Sequence, residues 1–313
     1  MKLSAVVSLY VSHRRALGQQ FQSEDALLRA FCKAVGDEPI ASIRAEPVLA
    51  FLDGRGPVTE YWAKKYHVLS GLYRFARARG WVSVSPLPRS IPRPTAPGFV
   101  PYIYSHAELK RLLDAVPAVC GGRVPADDYV FRALLLLLYG AGLRISEALS
   151  LTMGDVDLRQ AILHIRKTKF YKTRVVPLGT DLARVLAEYV VTRNASHPAT
   201  THAPLFCFRS GSPLSDSAAR SACRRLRDHT GVVREGGPRR QPRLHDLRHS
   251  AAVRRLVAWY RSGADLQLLL PKLSTYLGHS DLSATQRYLT LTPELLREAS
   301  LRFERYATQS DHD

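Results

Sequence analysis

Acidic residues are scarce in this chain. Its 313 residues hold 27 Asp and Glu against 45 Lys and Arg, a formal charge of +18, and the pI is near 10.1. That imbalance excludes a generic acidic cytosolic enzyme and points to a polyanionic partner. Cysteine is sparse as well. Cys32, Cys120, Cys207 and Cys223 lie far apart with no CxxC pair, which argues against a disulfide framework or a zinc knuckle and fits a reducing cytoplasm. Long apolar runs are missing. The N-terminal stretch is broken by His13, Arg14 and Arg15, and the strongest run, Phe131 to Tyr139, is too short to cross a bilayer. Neither a signal peptide nor a membrane span is expected. There is no internal repeat and no low-complexity tract. What is present is 46% hydrophobic residues, enough for real cores, and length for two domains. Lipid surfaces are polyanionic too, so charge alone leaves nucleic acid and membrane both open.

The basic charge is spread over both halves. Residues 1–98 carry 14 basic and 7 acidic residues, and the remainder 31 and 20. A basic tail on a neutral enzyme would look different. The densest stretch, Arg220 to Arg248, has nine arginines against Asp228, Glu235 and Asp246. Arginine's planar fork suits phosphate oxygens. A single arginine is ordinarily a solvated surface residue; the cluster is better explained by a nucleic acid backbone.

Periodicity places helices before residue 80 and no strand. Val6, Val7, Leu9, Tyr10 and Leu17 recur at helical spacing. Ser23 is read as the cap of a second helix that Gly36 stops. A third fits residues 41–54 and a longer fourth fits 58–80, with one apolar stripe and a basic face. Six prolines between Pro86 and Pro101 then favour an extended linker. The predicted organisation is a helical domain over 1–85, a linker over 86–101 and a second domain over 102–313. The second domain opens on a capping box, Ser105 to Glu108. Residues 161–179 read as a hairpin, with β-branched residues flanking a polar turn, and the rest is mostly helical. The fold class is mainly α with a small antiparallel β-sheet (α+β).

Four blocks stand in order between Gly142 and Leu289: GLRISEAL, TKFYKTRVVPL, HDLRHS and LGHSDLSATQRYL. Each alone is weak; together, ending on a tyrosine, they resemble the tyrosine recombinases, also called the phage integrase family. The resemblance covers most of the chain, since the N-terminal helices and linker resemble that family's separate core-binding (SAM-like) domain. It implies a C-shaped clamp on duplex DNA, catalysis by Arg144, Lys169, His245, Arg248, His279 and the nucleophile Tyr288, and support from Glu147 behind them. It also implies a 3′-phosphotyrosyl intermediate, no metal and no ATP or other cofactor, a homotetramer in the synaptic complex, and a cytoplasmic, nucleoid-associated protein. Accessory recombinases or DNA-bending proteins are further partners on this view. The long segment between Arg248 and His279, in which Pro271 is expected to break a helix, is more similar to recombinases of transposons and integrative elements than to housekeeping resolvases.

The chemistry is consistent with the residues. Cleaving a phosphodiester without metal needs a nucleophile, fixed positive charge for the transition state, and an acid for the leaving oxygen. Tyr288 supplies a phenol whose ordinary pKa is about 10, so it needs activation. Arg144 and Arg248 can clamp the non-bridging oxygens, His279 can add a hydrogen bond, and His245 can accept the phenol's proton. Lys169 can protonate the 5′-oxygen. Lys64, Lys65, Arg74, Arg224, Arg240 and Arg243 are candidate DNA contacts. Bland readings stand beside these: Tyr288 as a packing tyrosine, His279 as a helix cap, His245 as a structural histidine, Lys169 as one solvated charge between Lys167 and Lys172. Tyr276 is a rival nucleophile, although it sits in an apolar helical pattern. A helix over 293–305 either docks on a neighbouring protomer or packs on its own domain. A type IB topoisomerase-like enzyme and a non-catalytic DNA-binding regulator are the alternative functions.

Overall fold

The computed structural model describes the chain apart from residues 56–57, 94–99, 122–125, 167–172, 238–239, 280, 291–296, 299 and 302–313, and apart from the side chains of Arg287 and Thr290. The chain divides into two compact units, with the division in the sequence after residue 99. Among the described residues no helix is long and apolar enough to cross a membrane.

The first unit is built from four helices: α1 (Leu3–Ala16), α2 (Gln22–Val35), α3 (Ala45–Asp53) and α4 (Glu60–Ala78). Their apolar faces close on Val6, Tyr10, Leu28, Phe31, Leu69 and Leu72. Ser23 does not cap α2. The helix begins at Gln22, and Phe21 precedes it in a left-handed conformation (φ 47°) with its ring buried in the core. The pull of that ring into the core sets the helix start. The Pro-rich stretch is not all linker. Leu87 packs on the core of the first unit, and the Tyr66 hydroxyl donates to the Pro88 carbonyl at 3.2 Å. An extended chain can lie along a helical surface when its apolar side chains have somewhere to go.

The second unit is mainly helical: α5 (His106–Asp114), α6 (Val116–Cys120), α7 (Asp128–Ala141), α8 (Ile145–Leu149), α9 (Thr180–Asn194), α10 (Asp216–Thr230), α11 (Leu244–Arg261), α12 (Leu266–Leu277) and α13 (Ser283–Thr290). The capping box forms as expected, with Ser105 Oγ accepting from the Glu108 N–H and Glu108 accepting from the Ser105 N–H. A three-stranded antiparallel sheet lies between α8 and α9, in the order β1 (Val156–Asp157), β2 (Ile162–Ile165), β3 (Arg174–Pro177). Leu163 faces Val176 and Ile165 faces Arg174 across the β2–β3 pairing. The turn of this hairpin, which carries Lys169, lies outside the described residues. The leucine-rich α7 runs through the core, against α6, α9 and α11.

Pro271 does not break a helix. It lies inside α12, whose start is capped by the Asp265 carboxylate. A proline one turn in removes one backbone donor, and the helix continues because Leu270, Leu273 and Leu277 are buried against α11 and α13. Glu298 accepts a hydrogen bond from Arg261 of α11 at 2.8 Å, which ties that residue to its own chain; most of the rest of 293–305 lies outside the described residues.

Candidate active site

The site is assembled where α7, α8, β3, α11, α12 and α13 come together. Gly142 ends α7 with φ +61°, and a Cβ there would lie 2.9 Å from Leu277 Cδ2. Only glycine meets both demands. Two residues on, Arg144 leads into α8. Its N–H donates to Glu147 Oε2 at 2.9 Å and its guanidinium to Oε1 at 2.7 Å and to the Gly278 carbonyl at 2.6 Å. A carboxylate in the first turn of a helix suits the exposed N–H groups there. Here it also fixes the side chain that precedes the helix.

Glu147 is the hub. Arg174, from β3, grips it with two parallel hydrogen bonds, Nη1 to Oε1 at 3.0 Å and Nη2 to Oε2 at 2.9 Å, while its Nε donates to the Tyr276 carbonyl at 2.9 Å. Arg248 Nη1 lies 3.9 Å from Glu147 Oε2. Gly278 makes room for this: it has φ +69°, and a Cβ would fall 2.7 Å from Arg174 Nη1. Burial raises the Glu147 pKa, but the hydrogen bonds and charge of Arg174, with those of Arg144, outweigh it and hold the carboxyl at about 2. Arg174 was not singled out in the sequence. Its only signal is its place in the TKFYKTRVVPL block.

Arg248 is 1% exposed. Its Nη1 donates to the Gly142 carbonyl and its Nη2 to the Leu277 carbonyl, both at 2.7 Å. A guanidinium has five N–H donors, so these bonds fix its plane and leave donors for a ligand. Burial, then the charge of Arg144, pushes its pKa down to about 10, still cationic at neutral pH. Arg144 is 30% exposed at the side chain. The two guanidiniums thus differ: one is embedded, the other reaches toward solvent.

Tyr288, on α13, is 4% exposed and packs with Leu256, Leu273 and Leu277. Its hydroxyl lies 2.9 Å from Nδ1 of His249, a residue the sequence reading passed over for His245. The three side chains His245, Arg248 and His249 share one face of α11, and the His245 and His249 rings meet edge to face at 4.7 Å. His279 follows Gly278 at the end of α12. Its Nδ1 lies 2.7 Å from Thr285 Oγ1 on α13, and its ring stacks near Tyr288 at 6.2 Å. Burial lowers the His245 pKa, reinforced by His249 and Arg248, and that of His249, reinforced by Arg248 and Arg243, each to about 4. Burial, Arg248 and Arg144 take His279 to about 3. All three are neutral at pH 7, so they can accept protons or donate a single N–H. Burial raises the Tyr288 pKa, against the pull of Arg248 and Arg144. Tyr276 points elsewhere: its hydroxyl donates to the Pro177 carbonyl at 3.3 Å.

The structure therefore brings Arg144, Glu147, His245, Arg248, His279 and Tyr288 together; Lys169 lies outside the described residues. The candidate DNA contacts are a mixed group. Lys64, Arg74, Arg224 and Arg240 are exposed. Arg243 is exposed at the start of α11 and pairs with Asp246. Lys65 is half-buried, with its ammonium donating to the Phe51 and Leu52 carbonyls at 2.6 and 3.1 Å, so it satisfies the C-terminal end of α3.

The model of the phage integrase family matches residues 103–294. The integrase/recombinase-type protein y4rE of Sinorhizobium fredii is 33% identical over 304 residues, covering 96% of this chain and 95% of its own. The fold is similar to that of the Tn1549 transposon integrase in complex with transposon right end DNA (TM-score 0.70, 17% identity, 98% of this chain and 100% of that one). It is also similar to a lambda integrase tetramer bound to a Holliday junction (TM-score 0.65, 16% identity, 92% and 77%). On the extent of the family match and the identity to y4rE, the chain belongs to the phage integrase family.

Proposed function

We propose that the protein is a site-specific DNA recombinase that cuts and rejoins DNA through Tyr288. The observation that carries this is a buried tyrosine whose hydroxyl is hydrogen-bonded by a fully buried arginine, Arg248, with a second arginine held on a shared carboxylate. Family membership and the DNA-bound solved structures of the same fold support it. In the proposed reaction the Tyr288 oxygen attacks a backbone phosphorus, forming a 3′-phosphotyrosyl bond as the bond to the 5′-oxygen breaks. Arg144 and Arg248 neutralise the non-bridging oxygens, with donors that are charged before the reaction begins and need not reorganise. His245 and His279 complete the pocket around the phosphate, and Lys169 gives the departing 5′-oxygen its proton. Glu147 keeps the arginines in register. The linkage conserves the phosphodiester energy, so a second 5′-hydroxyl can reverse the step on another strand without ATP.

The remaining assignments belong to the same reading. The helical unit over roughly 1–85 and the catalytic unit both contact duplex DNA, through Lys64, Arg74, Arg224, Arg240 and Arg243 among others. Four copies act on two duplexes, in the cytoplasm at the nucleoid, with accessory recombinases or DNA-bending proteins as further partners, and the substrate is a mobile element. The test is a nicked suicide duplex built from the DNA flanking the encoding gene. Wild type should become covalently attached to it, and Tyr288→Phe should lose attachment while keeping DNA affinity. Attachment by the Phe variant at the wild-type level would move the nucleophile elsewhere.

A further inference from the structure

We infer that His249 is the catalytic residue that takes the Tyr288 proton. This rests on the recombinase reading and refines it, because the sequence pointed to His245 for that task. The hydroxyl that must lose its proton is 2.9 Å from His249 Nδ1, and the rings are 5.5 Å apart. Distance to the moving proton is the first requirement of a general base. The His245 ring meets the His249 ring edge to face at 4.7 Å, where it can hold that ring in place.

The surroundings set the protonation state. His249 is faced on its own helix by His245, Arg248 and the preceding Arg243, from α13 by Tyr288, and from the end of α12 by His279. Burial, then the charge of Arg248 and Arg243, keeps the imidazole neutral, so a ring nitrogen with a lone pair is available at neutral pH. In the step, the O–H bond of Tyr288 breaks and its proton binds His249 Nδ1. The freed oxygen pair forms the bond to phosphorus, and the pair of the P–O5′ bond leaves with the 5′-oxygen, which is protonated separately. The imidazolium formed beside Arg248 is offset by the negative charge gathering on the phosphate. Reversal returns the proton to the phenol when the strand is rejoined.

The experiment uses the full-length chain and a suicide duplex that wild type cleaves. His249→Ala and His249→Asn should each slow single-turnover covalent attachment about 100-fold or more without weakening DNA binding. The asparagine amide can still hydrogen-bond the phenol but cannot take its proton, so equal defects separate proton transfer from positioning. Replacing Tyr288 by 3-fluorotyrosine, a more acidic phenol, should restore part of the rate in the His249 variants and not in His245→Ala. Wild-type rates in His249→Asn, or recovery confined to His245→Ala, overturn the proposal. Independently, the Nδ1 resonance of His249 in ¹⁵N NMR of the free protein should shift on Tyr288→Phe; an unmoved resonance also overturns it. A wild-type chain that forms no Tyr288-dependent attachment refutes the recombinase reading instead.

Discussion

Tyr288 is buried and the histidines around it are half-buried in their neutral forms, and that has a cost on acidification. His245, His249 and His279 hold pKa values of about 4, 4 and 3 against an ordinary value near 6.5. Unfolding in that interval takes up protons the native state refuses. Stability is therefore complete above about pH 6.5 and declines as the pH falls toward 4. Glu147 works the same way lower down: with a native value of about 2, its contribution is present above about 4.5 and is lost as the pH falls toward 2. Between pH 7.5 and 5 the decline belongs to the histidines. The urea midpoint should fall over that range, and His279→Gln should flatten the fall; a pH-independent midpoint would mean the histidines are hydrated. These residues show how far single positions were legible. Arg144, Arg248, His279 and Tyr288 stand in blocks whose order and spacing mark them. Which of two histidines one turn apart meets a tyrosine 39 residues further on is a matter of how α13 rolls against α11, and no spacing encodes that. Arg174 was invisible for a similar reason: its partner, Glu147, lies 27 residues upstream and meets it only after β3 has paired with β2.

At the scale of elements, the arginines are held by the ends of helices rather than by each other. Arg248 is moored to the carbonyl of Gly142 beyond α7 and of Leu277 at the end of α12. Arg144 is moored to Gly278. Carbonyls at helix C-termini have no intrahelical partner and carry partial negative charge, so they suit a buried cation. Arg174 then joins the sheet to this arrangement through Glu147 and the Tyr276 carbonyl. Arg174→Ala would leave Glu147 buried with half its partners gone. Breaking one side of a buried ion pair costs about 3–5 kcal/mol, and Arg144 would lose its register as well. The expected result is a lower melting temperature and a cleavage rate reduced more than DNA affinity. Arg174→Lys keeps the charge but not the fork, so it should recover part of the stability and little of the rate; full recovery by lysine would show that only charge matters there. The helices themselves were largely readable from periodicity. Where the reading failed, at Ser23 and at Pro271, local preference gave way to burial: the Phe21 ring fixed one helix start, and the leucines of α12 carried the helix through a proline.

The charge of the whole molecule divides by what each cation already touches. Lys65 serves the end of α3, Arg174 serves Glu147, and Arg248 serves two carbonyls. Such cations contribute little to a diffuse field, because their charge is buried or compensated. The exposed arginines of α10 and the stretch before α11 are different; Arg224 and Arg240 project from a segment with few acidic residues. If the positive balance of both units serves a polyphosphate partner, binding must release counterions, and log Kd must vary steeply with log salt. The slope also sorts the cations. Arg224→Ala combined with Arg240→Ala should lower it by about 2, one for each phosphate contact removed, and weaken binding to any duplex sequence alike. Lys65→Ala should leave the slope unchanged and lower thermal stability instead, since it strips the carbonyls of Phe51 and Leu52 of a donor. Fluorescence anisotropy with a labelled duplex between about 50 and 200 mM salt reads both quantities. An unchanged slope in the double arginine variant would place the DNA path away from α10, and the nine arginines between Arg220 and Arg248 would then have to be explained one at a time by the carbonyls and carboxylates beside them.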